Sequence, residues 1–145
     1  MVVIFTPIYF DMNGTYCARE FKAMELLEEK RLTLLGKDRN LQHSLIIPVV
    51  YRGQSDLPNF LSSERQCYMF ESFHVCGKSY LRNRIYQESV KKIAKYIYER
   101  CKELESLESD PCNDCGTFEL PSKDEIVSWL PSVLPPRAPK FPGRR

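Results

Sequence analysis

Two continuous apolar runs, Val2-Val3-Ile4-Phe5 and Leu45-Ile46-Ile47-Pro48-Val49-Val50-Tyr51, limit the fold more than any other feature of this chain. Neither alternates polar with apolar, as a strand with one wet face does. β-Branched runs of this length suit parallel strands covered on both faces. Between them Cys17, Phe21, Met24 and Leu27 recur at helical spacing. Thr15 can cap that helix, and Gly36 supplies a stop after about Leu35. Pro7 and the Asp11-Met12-Asn13-Gly14 turn end the first strand. Pro48 removes one ladder donor from the second, which requires a bulge or an unpaired position.

Further along, Leu57 to Leu61 reads as a short helix and Cys67-Tyr68-Met69-Phe70 as a weaker strand. Tyr86, Val90, Ile93, Ala94, Ile97, Cys101 and Leu104 mark a long helix, with Lys91, Lys92 and Lys95 on its wet side. Strand–helix–strand–helix order implies a parallel α/β sheet with right-handed crossovers. From about Glu105 the character changes. An acidic linker leads to Ser122 and Glu125, a capping box, followed by Ile126, Trp129 and Leu130 on one short docked helix. Residues 131–145 hold five prolines and read as extended or disordered. Their Pro-Pro-Arg-Ala-Pro stretch also permits polyproline II recognition. The chain therefore divides into a main domain (1–104), an acidic linker with a docked helix (105–130) and a basic tail (131–145).

A length of 145 residues suits one domain that buries about two thirds of its unfolded surface. No apolar run approaches the roughly 18 residues of a membrane span. The first residues lack the basic and apolar regions of a secretory signal, which points to a cytoplasmic location. The net charge of +2 conceals an uneven distribution. Residues 1–104 carry 16 Lys/Arg against 12 Asp/Glu, residues 105–130 one against seven, and residues 131–145 four against none. Neither basic part forms the broad stripe of a nucleic-acid binder. Six cysteines without an export signal read as thiols. Cys112-Asn113-Asp114-Cys115 is the one close pair and lacks a second pair to complete a zinc site, so it reads as a turn closed by Gly116.

Ligands of open α/β sheets bind beyond the carboxyl ends of the strands. The start of the helix after the first strand is such a place, and it carries Tyr16-Cys17-Ala18-Arg19-Glu20. Glu20 has Cys17 at i−3 and Met24 at i+4, so it borders the apolar face, where partial desolvation strengthens its electrostatics. A bare helix-start acid would be favoured by the macrodipole alone. Thr6, Tyr9 and Arg52 lie just past strand ends, and Cys17 reads as a small core residue.

Three stretches, Val2-Val3-Ile4-Phe5-Thr6-Pro7-Ile8-Tyr9, Tyr16-Cys17-Ala18-Arg19-Glu20-Phe21 and Leu45-Ile46-Ile47-Pro48-Val49-Val50-Tyr51-Arg52-Gly53, together resemble the second half of a bacterial Toll/interleukin receptor (TIR) domain. Thr6 stands where a Ser is usual and Tyr16 where a Trp is frequent. The resemblance covers roughly residues 1–104. It implies a truncated flavodoxin-like (TIR-like) parallel sheet flanked by helices, with a short C-terminal helical appendage. The family's first two strands and their loops have no counterpart, which would leave an apolar strand edge open. Many such domains cleave the nicotinamide–ribose bond of NAD+, and the family's catalytic glutamate corresponds to Glu20. The resemblance thus implies NAD+ as substrate with no further cofactor. By their places past the strand ends, Thr6 and Tyr9 are candidates to contact ribose or nicotinamide, against plain turn roles, and Arg52 to meet a phosphate, against an exposed arginine meeting only water; no metal site is expected. The other implied role is a non-catalytic module that assembles with TIR domains or with itself in signalling or defence.

Overall fold

Strands β1 (Val2–Phe5) and β2 (Ile47–Val50) run parallel, in register from Val2↔Ile47 to Phe5↔Val50. A two-residue strand β3 (Tyr68–Met69) extends β2 on its other side, Val49 facing Tyr68, so the order is β1-β2-β3. The computed structural model describes residues 1–11, 15–73, 77–112 and 119–134. Helices α1 (Tyr16–Leu34), α2 (Asn59–Glu64), α3 (Arg84–Glu105) and α4 (Lys123–Val133) complete it. This is a mixed α/β arrangement compatible with a flavodoxin-like fold. The turn residues Met12 to Gly14, the Cys115–Gly116 turn and most of the tail lie outside the described residues.

Pro48 is tolerated in the central strand for a geometric reason. Ile47 N–H donates to Met1 O and Tyr51 N–H to Phe5 O, so the odd positions of β2 face β1 and the even ones face β3. Pairing with β3 begins only at Val49. The missing donor therefore falls ahead of β3, the unpaired position that the sequence required.

The sheet separates two apolar clusters. On one face Val3, Phe5 and Val50 pack with Ala18 and Phe21 of α1, Leu61 of α2, and Ile126 and Leu130 of α4. On the other, Ile47, Val49, Tyr68, Phe70 and Phe73 meet Tyr86, Ile93, Tyr96 and Ile97 of α3. Asn83 caps α3 by accepting from the amides of Ile85 and Tyr86. Lys91, Lys92 and Lys95 are exposed, on the side the periodicity gave them.

Four expectations need correction. β1 is covered on one face only: Val3 and Phe5 are buried, but Val2 is 44% and Ile4 53% exposed. The cause is that α3 packs over β2 and β3 and leaves β1 uncovered. Thr15 does precede α1, yet its side chain makes no capping hydrogen bond because the residue is itself helical and buried. The helix expected over Leu57–Leu61 lies at Asn59–Glu64, since Pro58 fixes its entry as an extended residue. Finally, α4 continues through Pro131 to Val133, past the expected start of the tail. Pro131 removes the bond its nitrogen would have made to Val127 O and its ring crowds that carbonyl, two residues before the helix ends.

The capping box at the start of α4 is present in both directions, Ser122 Oγ accepting from Glu125 N–H and Glu125 Oε2 from Ser122 N–H. Trp129 stacks on Phe21 at 6.3 Å between centroids and meets Phe10 and Phe60 edge-on. Arg19 Nε donates to Pro121 O at 2.6 Å. The appendage is thus part of the main core.

A buried polar network joins α1 to the start of β2. Glu28, 1% exposed, accepts at Oε1 from Leu45 N–H (2.6 Å), Ile46 N–H (3.0 Å) and Ser44 Oγ (2.7 Å). Its Oε2 lies 2.9 Å from Arg65, which is as deeply buried and also reaches Glu25. Arg39 contacts Glu25, Glu28 and Glu64. Burial raises the Glu25 carboxyl pKa, but Lys22, Arg65 and Arg39 outweigh it and hold the group below its ordinary value.

Candidate functional site at the strand tips

The carboxyl ends of β1 and β2 are held together by backbone. After β1, Tyr9 N–H donates to Thr6 O at 2.9 Å and turns the chain toward α1. After β2, Gly53 adopts φ +75°. A Cβ at that position would lie 2.5 Å from Pro7 Cγ, so only glycine lets the two loops meet. Glu71, just beyond β3, accepts from the amides of Gly53 (3.0 Å) and Gln54 (3.3 Å). All three strand ends therefore contribute to one rigid rim.

Glu20 sits in the second turn of α1, half-buried. Its carboxylate has no hydrogen-bond or ion-pair partner among the described residues. Tyr9 is its neighbour: burial pushes the phenol pKa well above the usual range, and Cys17 and Glu20 push it the same way. The phenol consequently stays protonated and can donate a hydrogen bond. Tyr9 is fixed by its edge-on contact with Phe10 at 5.0 Å, and Phe10 in turn packs on Phe21. Cys17 is a half-buried free thiol, less enclosed than a core reading requires.

Of the four residues singled out in the sequence, Tyr9 and Glu20 are the two whose electrostatics are linked, the carboxylate raising the phenol pKa. Thr6 is half-buried at the end of β1, and Arg52 is exposed at the end of β2, its amide 3.4 Å from Phe5 O. These two share the rim, with no hydrogen bond or ion pair between them or to Glu20 among the described residues. A cavity of about 170 Å³ lies instead at the opposite, amino-terminal end of the strands, lined by Val2, Ile47, Ile97, Arg100, Cys101 and Leu104 among others.

Sequence reasoning missed Glu71, the residue that fixes the loop carrying Arg52. A single acid after a weak strand carries no local signal, because its partners are amides eighteen and seventeen positions away. Among the described residues no group of His, Cys, Asp and Glu could hold a metal ion. His43 is taken up by Asn40 at 3.2 Å, while His74 lies outside the described residues. No helix among the described residues is long and apolar enough to cross a membrane. No family model, curated protein or solved structure matches the chain.

Proposed function

We propose that residues 1–104 form a TIR-like domain whose chemistry is hydrolysis of NAD+ at the nicotinamide–ribose bond, serving signalling or defence. The observation that carries this reading is Glu20: a half-buried carboxylate near the carboxyl end of a parallel sheet, without a hydrogen-bond or ion-pair partner among the described residues, whose charge acts on the Tyr9 phenol. The resemblance of its three surrounding stretches to that family supplies the substrate class.

In this reading the C–N bond breaks with its electron pair leaving on nicotinamide, and the ribose carbon becomes cation-like. A carboxylate beneath it stabilises the developing charge and orients the ribose hydroxyls. Water then adds to that carbon and releases a proton, giving ADP-ribose. Tyr9 donates to the ribose or nicotinamide, Thr6 lines the same rim, and Arg52 faces a phosphate. NAD+ is the substrate, and no separate cofactor is needed. The loops that the family draws from its first two strands have no counterpart in these 145 residues.

Nicotinamide release from NAD+ by the purified chain, followed by chromatography, tests the proposal. Release above the protein-free rate that disappears in Glu20→Ala supports it. No release, or release unaffected by Glu20→Ala, sinks it. A second reading, a non-catalytic module that binds other TIR-like domains, is favoured by the open apolar edge of β1. It predicts partner binding that survives Glu20→Ala, with no loss of NAD+.

A further inference from the structure

In the turn from Thr6 to Asp11, which carries Tyr9, one side chain is fully buried: Phe10. The turn's own hydrogen bonds, Tyr9 N–H to Thr6 O and Asp11 N–H to Ile8 O, are local and shape the loop. Its seat on the core comes from the Phe10 ring, which lies among rings of four elements. These are Phe5 of β1 at 6.3 Å between centroids, Phe21 of α1 at 5.4 Å, Phe60 of α2 at 5.6 Å and Trp129 of α4 at 6.4 Å. Trp129 also stacks on Phe21 and meets Phe60, so it touches each of the helix-borne rings around Phe10. Lys22 of α1 holds the indole in turn, its ammonium 5.1 Å from the ring centre.

A second tie runs to the other half of the site. Arg19, the residue before Glu20, donates from Nε to Pro121 O at 2.6 Å, immediately ahead of the Ser122 cap of α4. The C-terminal appendage therefore grips the chain neighbour of each residue in the pair, Phe10 beside Tyr9 and Arg19 beside Glu20.

We propose that Trp129 is a positioning residue for the strand-tip site: through Phe10 it sets where the Tyr9 phenol stands relative to the Glu20 carboxylate. Tyr9 meets Phe10 edge-on, with 5.0 Å between centroids and 77° between planes, a preferred geometry for two rings, so Tyr9 follows when Phe10 moves. Protein interiors have little spare volume, and neighbours relax into space that a lost side chain leaves. Without the indole, Phe10 settles toward α4, and the phenol is no longer held at one distance from Glu20. Cys17 and Glu20 are the groups whose charge reaches that phenol, both from the first turns of α1, which the Arg19 tie keeps in place.

This positioning rests on the reading of Tyr9 and Glu20 as the site, and not on NAD+ hydrolysis. A chain that releases no nicotinamide yet shows the Tyr9 response below keeps the positioning and loses the hydrolysis alone. NMR of the full chain with its tyrosines isotope-labelled at Cζ reads the phenol directly, and Tyr9→Phe identifies the Tyr9 signal. At neutral pH Glu20→Gln should displace that signal. In a Trp129→Ala background the displacement should fall by about twofold or more, because the influence of a charge decays with distance. Tyr96 is the internal control: it lies on the other face of the sheet with its hydroxyl donating to Ser44 O at 2.8 Å, and Trp129→Ala should leave its signal in place. An unchanged or larger response of Tyr9 to Glu20→Gln overturns the proposal, as does equal movement of Tyr9 and Tyr96, which would mean general loosening. Trp129→Leu fills part of the same space and carries the same expectations should alanine unfold the chain. In the wild type, nuclear Overhauser contacts from the Phe10 ring to both Tyr9 and Trp129 are required, and their absence overturns the proposal without any variant.

Discussion

Replacing Glu28 with alanine removes the acceptor on which the entry to β2 depends. Leu45 N–H loses its partner outright, whereas Ile46 N–H keeps Ser44 Oγ at 3.2 Å. Arg65 loses its 2.9 Å partner but keeps Glu25 at 3.1 Å. Stripping one member from a buried ion pair costs about 3–5 kcal/mol, and orphaning a buried amide about 1–3. Arg65 is half re-paired, so the low end of the first range applies, and the loss comes to about 4 kcal/mol. With a urea m-value of about 2 kcal/mol per molar, the unfolding midpoint should fall by about 2 M. Trp129, the only tryptophan, reports the transition through its fluorescence because it stacks on Phe21 of α1, the helix that carries Glu28. A fall below about 0.5 M would refute the reasoning, since it would mean less than about 1 kcal/mol lost. The double change Glu28→Met, Arg65→Met should cost less than the two single changes added together, because it leaves neither charge unpaired. Strict additivity would count against the network.

Acid should loosen the same region. Glu25 has its folded pKa held below the ordinary 4.5, so its contribution is fully present above that value and is lost as pH falls through the folded pKa. Urea midpoints measured from pH 7 downward should therefore begin to drop below about pH 4.5, and a flat profile there would contradict it. Gly53→Ala forces a side chain into φ +75° and against Pro7, so thermal stability should fall by more than about 1 kcal/mol; an unchanged melt would show that the two loops do not meet as described. Leu130→Ala empties a fully buried site against α1 and should cost about 2–5 kcal/mol, with Trp129 emission shifting to the red. Stability and emission both near wild type would mean that α4 is not docked.

The elements that the sequence made legible are those with local causes. Apolar β-branched runs gave both main strands, helical spacing with Gly36 bounded α1 to within a residue, and Ser122 with Glu125 announced α4. The uncovered face of β1 was not legible, because an apolar run says nothing about which neighbours are present to cover it. The Glu28 network escaped for a different reason. Glu25 and Glu28 fall in line with Phe21 and Leu32, on the buried side of α1, yet acids in a helix normally face water. Their interruption of an apolar stripe was the available signal, but their main buried partner, Arg65, is separated from them by β2 and α2. At the candidate site, Glu20 was found through its place after a strand. Its proximity to Tyr9 depends on how the chain turns between them, which no local pattern encodes.

The contacts of α4 also bear on how the molecule is made. Ile126 and Leu130 close a cluster whose other members lie between Val3 and Leu61. A ribosome has therefore delivered every described strand well before it delivers the residues that shield Phe10 and Phe21. During that interval the nascent chain presents an aromatic surface with nothing over it, the kind of intermediate that chaperones hold and that aggregates when they are absent. Shortening the gene from its 3′ end should accordingly damage yield in the cell before it touches a single residue at the strand tips.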